Sequence, residues 1–472
     1  MRRTTFLVAT CMCVVLASLS PASAAVGAPS MVEDLFLGAE GSEPAFFAVR
    51  AGTMYFSADD GINGRELWHS DGTPAGTEML ADINPGEGPW GPNDSDPAGL
   101  TNVSGMVFFV ARVATGPDLW VTDGTEAGTE LVKDIPGTTG QGPRNLTAVG
   151  TRLFFTVQTL GTEENPSRYE LWTSNGTPTG TRVVKVFPMI SGSSGPDELT
   201  NVGGVLYLLA NDGATGDELW KSNGTPAGTV RVKNLAAGAE SSSPEDLTAF
   251  GSKLFFSAHT GSGRELWKSD GTAAGTLRVK DIYPGPFSGD PSAITKMGSH
   301  LFFRAESGVR SETDYGPGFE LWKSDGTGAG TTMVKNINPG SDDSYPAGLT
   351  AVGPRLFFTA YTATHGRELW RSDGTATGTK IVKDSTAGAG STSFDAWPLA
   401  AVGSNLVYSA SKGTAGYEPW SSDGTAAGTA MMRNINPDGD SDPREFIKLG
   451  NRVLFNANDG EHGRELWRAP LS

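Results

Sequence analysis

Arg264-Glu-Leu-Trp-Lys-Ser-Asp-Gly-Thr272, followed directly by Ala-Ala-Gly-Thr-Leu-Arg-Val-Lys-Asp-Ile282, is the stretch on which the reading of this chain turns. Near-copies of it fill most of the 472 residues. Their Glu/Asp-Leu-Trp core, once Glu-Pro-Trp, sets Trp at 68, 120, 172, 220, 267, 322, 370, 420 and 467. A self-similarity of about 50 residues per copy marks a propeller or a solenoid, whose units cannot bury their apolar faces alone.

The copy around Trp370 shows what one unit contains. Four short apolar runs, 348–352, 355–360, 367–371 and 380–384, are separated by Gly353-Pro354, by 362–366 and by Ser372-Asp-Gly-Thr375. Runs of this length, rich in Val, Phe, Leu and Thr and bounded by Gly, Pro and Asp, read as antiparallel strands joined by turns. We name them a, b, c and d. No segment holds a helical period, so the class is all-β, and four strands per unit make a β-propeller blade.

The two ends of the chain supply the argument for a closed ring. Val32-Glu-Asp-Leu-Phe36 reads as a strand d with no blade before it, like Val279-Lys-Asp-Ile282. The last copy stops after Arg464-Glu-Leu-Trp-Arg468, with strands a, b and c but no d. Together they predict nine blades, eight continuous and one composite, with a clasp strand within 31–37 and repeats running to 468.

Residues 1–24 read as a signal peptide. Arg2 and Arg3 precede an apolar run from Phe6 to Leu19, and Ala22-Ser-Ala24 has the small-x-small pattern of a cleavage site. The expected exported chain is 25–472, a single propeller domain, secreted or held at the cell surface. Both cysteines, Cys11 and Cys13, lie in the leader, so disulfides and thiolate metal sites are excluded after cleavage; a lipid anchor on either is the lesser reading. No other apolar stretch approaches the ~20 residues of a membrane span. A formal charge of −17 repels phosphate backbones, which excludes nucleic acid as a partner.

Most repeated residues have structural explanations. The Asp-Gly-Thr of Ser70-Asp-Gly-Thr73 is the c–d turn, where Asp or Asn caps local amides and Gly accepts positive φ. A hairpin symmetric about that turn sets each Glu across from the residue 15 further on. It pairs Asp118 with Lys133, Glu170 with Lys185, Glu218 with Lys233, Glu265 with Lys280, Glu320 with Lys335, Glu368 with Lys383 and Glu418 with Arg433. The exceptions are Glu66, opposite Ala81, and Glu465, opposite Glu33. The Trp of each copy is expected to pack between blades.

The residues quoted so far resemble the bacterial repeat family named for its Glu-Leu-Trp-x-x-Asp-Gly-Thr signature, over nearly all of 31–468. That resemblance implies a secreted or surface protein and no particular activity. Ala210-Asn-Asp-Gly-Ala-Thr-Gly-Asp-Glu-Leu-Trp220 is also similar to the tryptophan-docking pattern of quinoprotein propellers. It implies Trp docked between blades, and no cofactor ligands map with it.

No Ser has Gly at both −2 and +2, and there is no His-Glu-x-x-His. Asp438-Gly-Asp-Ser-Asp442 alternates carboxylates as calcium loops do, with Pro443 and Leu449 where an EF-hand needs Gly and Glu. Weak calcium binding through Asp438, Asp440 and Asp442 is therefore a secondary expectation, with no other cofactor. Length variation falls in the b–c and d–a loops, which emerge on one side of the ring, and variable loops on a rigid frame carry binding. The residues expected on that face are Trp90, Asp94, Tyr169, Arg310, Asp314, Tyr315 and Trp397. The expectation is a monomeric, non-enzymatic scaffold for an extracellular protein or glycan. Its rivals are an extracellular polysaccharide lyase or hydrolase using that face, and a matrix component valued only for rigidity.

Overall fold

Strand b of each copy is apolar on both of its alternating faces, and such a strand must be covered from both sides. In Thr53–Asp59 every residue from Met54 to Ala58 is buried, and Met106–Val113, Lys253–Thr260 and Arg355–Thr362 behave alike. A computed structural model describes residues 26–471 apart from 90, 136–139, 141, 162–165, 194, 309–315, 395–398 and 413–414. It has nine four-stranded antiparallel blades in a β-propeller, with no α-helix among the described residues. Blades 1 to 8 are 45–81, 98–133, 144–188, 197–233, 245–280, 292–335, 347–383 and 393–431; blade 9 joins 444–470 to Ser30–Glu33. In blade 8 strand a is split into Ser393–Phe394 and Ala400–Val402.

The blades stack face on face, and each of nine apolar cores straddles two of them. Phe108 and Leu119 of blade 2 meet Phe155 and Trp172 of blade 3; Phe357 and Leu369 of blade 7 meet Leu406 and Trp420 of blade 8. The Trp residues are thus inter-blade packing groups, and truncating one such ring to Ala costs about 3–5 kcal/mol. Nearer the axis, threonine hydroxyls of strand a tie neighbours together. Thr248 Oγ1 donates to the Ile294 carbonyl at 3.0 Å and Thr350 Oγ1 to the Leu399 carbonyl at 3.1 Å.

The c–d turn is built as its chemistry dictates. Asp270 Oδ1 accepts from the amide and hydroxyl of Thr272 at 2.9 and 2.7 Å, and Gly271 takes φ of +83°. Thr276, which ends the motif, is buried and hydrogen-bonded through its hydroxyl to Ser269 at 2.8 Å. Gly275 is fixed by the same carboxylate, because a Cβ there would collide with Asp270.

The ring closes as the chain ends foretell, a little earlier in sequence than 32–36. Ser30–Glu33 pairs antiparallel with Arg464–Pro470, with Met31 opposite Trp467 and Glu33 opposite Leu466. Val32 joins Leu454 and Leu466 in a core with Met54, Phe56 and Trp68 of blade 1. Deleting 26–37 removes this outer strand and exposes one blade face, so the melting temperature should fall sharply or folding should fail. Cooperative unfolding at an unchanged temperature would refute closure through this strand.

Candidate functional site

The structure corrects the expected Glu–Lys pairing. A bulge between the Leu and Trp of strand c shifts the hairpin by one residue, so the Leu after each acidic residue, not the acid itself, faces the cation: Leu119 opposite Lys133, Leu321 opposite Lys335, Leu369 opposite Lys383. The acidic side chain turns inward and is buried. There it holds the start of the d–a loop, accepting the amide of the residue 17 positions on. Glu265 Oε2 takes Ile282 N at 2.7 Å and its Oε1 takes Gly289 N at 3.0 Å. Glu320 takes Ile337 N at 2.8 Å and the Ser344 hydroxyl at 2.7 Å. Blade 3 differs: Glu170 takes Arg168 Nε and Trp172 Nε1, and its strand d runs on to Pro188.

The displaced cations cross to the next blade. Lys133, Lys233, Lys280, Lys335 and Lys383 donate to the carbonyls of Thr181, Thr276, Thr331, Thr379 and Thr429 at 2.7–3.0 Å. Lys133, Lys185 and Lys335 also lie over the next blade's Trp, 5.5–5.8 Å from the ring centroid. Arg433 plays this part over Trp467 and donates to the Pro29 carbonyl. An ammonium over an indole face contributes about 0.5–2 kcal/mol, more as it is desolvated.

Two interfaces break the series. Ala81 occupies the lysine position between blades 1 and 2, where it packs with Trp120 on the shared core. At the seam between blades 9 and 1 the position is Glu33. Here a cleft of about 490 Å³ opens beside Trp68. Trp68 and Thr77, the counterparts of the ring and carbonyl residues that receive lysine elsewhere, both line it, with Glu33, Asp34 and Asp60 as its charged groups and no basic side chain. Phe36, Leu37 and Ile62 form the apolar rim, the last two 83% and 76% exposed.

The cleft wall is positioned by the same carboxylate device. Glu465 accepts from Leu35 N at 3.3 Å, Phe36 N at 3.4 Å and Ser42 N at 2.7 Å. The Phe36 ring lies against Gly61, at φ +72°, where a Cβ would approach it to 2.8 Å. Asp60 spends its oxygens on its own loop, taking Ile62 N, Asn63 N and Asn63 Nδ2 at 2.7–2.8 Å. Asp34 Oδ1 is buried and meets no donor among the described residues.

Of the residues expected on the loop face, Trp90, Arg310, Asp314, Tyr315 and Trp397 lie outside the described residues. Asp94 caps strand c of its blade, accepting Arg65 N at 2.7 Å. Tyr169 packs against the core between blades 3 and 4 and covers Gly195. The alternating aspartates are divided among separate tasks. Asp440 accepts Tyr417 N at 2.7 Å, as Asp94 does for Arg65, while Asp442 pairs with Arg444 and with Arg464, the latter at 2.8 Å. No group of three His, Cys, Asp or Glu is arranged to hold a metal ion among the described residues. The seam residues were not singled out from sequence, although Glu33 and Ala81 already stood apart from the repeated lysines.

No protein-family model matches the chain, and no curated protein matches it. Solved structures of similar fold include a puromycin hydrolase, at 12% identity and TM-score 0.40 over 82% of this chain and 61% of that one. A Mycobacterium tuberculosis puromycin-hydrolyzing peptidase gives 10% and 0.43 over 92% and 61%. The β-propeller domain of the Trilobed protease from Pyrococcus furiosus gives 10% and 0.35 over 70% and 94%. The chain spans about 61% of the length of the first two. The likeness is one of propeller fold alone. These neighbours are peptidases by name, which departs from the expected non-enzymatic protein- or glycan-binding scaffold and from its polysaccharide-cleaving rival, and neither expectation is carried further. No helix among the described residues is long and apolar enough to cross a membrane.

The buried carboxyls impose a pH dependence. Burial pushes Glu66, Glu265, Glu320 and Glu465 from an ordinary 4.5 up to about 7, against the lowering effect of their hydrogen bonds. A group with a raised folded pKa binds its proton more tightly when folded, so its contribution is full below 4.5 and lost as the pH rises through about 7. The turn residues Asp71, Asp270, Asp325 and Asp373 are held below the usual range by their threonine hydroxyls and act oppositely in acid. Calorimetry should show thermal stability falling from about pH 5 to about pH 8. A steady rise over that window would mean the buried carboxylates ionise without cost.

Proposed function

We propose that this propeller is a receptor for an organic ammonium ion, which it takes into the cleft at the ring seam. The observation that carries the reading is Glu33, which stands where the other interfaces place a cation or, once, alanine. It leaves the Trp68 face and the Thr77 carbonyl without the lysine that their counterparts receive, beside three carboxylates and an apolar rim. An ammonium on an apolar stem supplies what is missing: charge for Glu33 and Asp34, donors for the Thr77 carbonyl, and alkyl surface for Phe36 and Trp68. An exposed cation–π contact and one or two ion pairs total about 1–3 kcal/mol, and a few buried methylenes add about 0.8 kcal/mol each, which together correspond to a Kd of about a millimolar. Export of a monomeric ring through the leader at 1–24, and membership of the Glu-Leu-Trp repeat family, belong to the same proposal; the leader's charge and apolar pattern and the repeated motif support them.

Titration of the full chain with aminopentane tests the reading by calorimetry. Binding should quench indole fluorescence, and Trp68→Leu should weaken it at least tenfold. Glu33→Lys should restore the interface used elsewhere, raising the melting temperature while abolishing amine binding. A Glu33→Lys protein that still binds the amine as tightly would locate the site elsewhere and defeat the proposal.

A further inference from the structure

We infer that the seam cleft is built for a linear aliphatic diamine, with one ammonium at the Thr77 carbonyl beneath the Trp68 face and the other at Glu33 and Asp34. This rests on the ammonium reading above and narrows it. The ring carries its own template for such a ligand. In five interfaces a lysine tip meets a threonine carbonyl at 2.7–3.0 Å, while its root is the backbone opposite the strand-c leucine. At the seam the residue at that root is Glu33, whose carboxylate stands two methylenes out from the backbone, followed at once by Asp34, whose buried Oδ1 meets no donor among the described residues. A second positive charge is therefore called for beside Glu33 and Asp34, and the four-carbon lysine stem bounds the ligand at roughly five carbons or fewer.

Charge and donor chemistry exclude the neighbouring ligand classes. A monoamine brings one charge to Glu33 and Asp34 together and leaves one carboxylate uncompensated. A quaternary ammonium has no N–H for the Thr77 carbonyl. Among the described residues a guanidinium lies over one of these indoles as Arg433, and it donates to the Pro29 carbonyl instead. An α-amino acid would bring its own carboxylate against Glu33 and Asp34, where like charges repel.

Calorimetric titration of the full chain with diaminopentane, aminopentane and tetramethylammonium separates the outcomes. The diamine should bind about three- to tenfold tighter than the monoamine, the range that one or two partly exposed ion pairs provide. Glu33→Gln should erase most of that preference, weakening the diamine several-fold more than the monoamine. Equal affinity for the two amines, or a preference that survives Glu33→Gln, would overturn the diamine assignment while the ammonium site stands. Failure of both amines to bind would remove the site itself, and tightest binding of tetramethylammonium would replace the diamine with a quaternary ligand.

Discussion

A sheet that is apolar on both faces can exist in water only if both faces are covered, and that constraint organises the molecule. Each blade covers its neighbour through the same groups, a strand-b phenylalanine or its equivalent, the strand-c leucine and the next tryptophan. A row of such blades would leave one face bare at each end, and joining the ends is the cheapest cure. Closure then obliges Ser30–Glu33 to serve as the outer strand of a blade whose other strands lie more than 400 residues away. That strand is not part of a continuous repeat, and the seam it forms is one of the two interfaces where the repeated lysine contact lapses.

The acidic residue before Leu-Trp shows how the fold spends polar groups. A carboxylate inside a protein is costly unless it is hydrogen-bonded or protonated. Here it collects loop amides and a serine or threonine hydroxyl that would otherwise be buried without partners, so the two liabilities offset each other. The arrangement fixes where each d–a loop begins and ends whatever its length. Long insertions between blades are tolerated for that reason, and the wall of the seam cleft at Leu35 and Phe36 is held in the same way by Glu465.

Much of this was legible in the sequence. The tryptophan period, the four apolar runs per unit and the unpaired strands at the two ends suffice for a nine-bladed closed propeller, and the Asp-Gly-Thr turn followed from its composition. The partner of the repeated glutamate was not legible. Counting outward from a symmetric turn sets Glu265 against Lys280, but the bulge after Leu266 moves the register by one and reverses which side chain faces inward. Bulges leave little trace in a pattern of apolar residues. The cleft was half visible: Glu33 and Ala81 interrupt the series of cations, yet the meaning of the interruption depends on knowing that those lysines reach the following blade. What Asp94, Asp440 and Asp442 hold within the fold was not legible either, since capping strand c or pairing with an arginine 22 residues on leaves no pattern along the chain.

In a molecule of near-identical interfaces, a departure that stability does not explain is the place to look for function. Alanine at 81 is a neutral departure, because a small apolar side chain packs on the core beside Trp120 and brings no unpaired charge. Glutamate at 33 is a different matter. It lines, with Asp34 and Asp60, a cleft that has no basic side chain among its lining residues, and a lysine there would make the threonine-carbonyl and indole contacts of the other interfaces. A cation from solution would make those contacts in lysine's place and complete the seam, which makes ligand uptake and ring closure two aspects of the same contact.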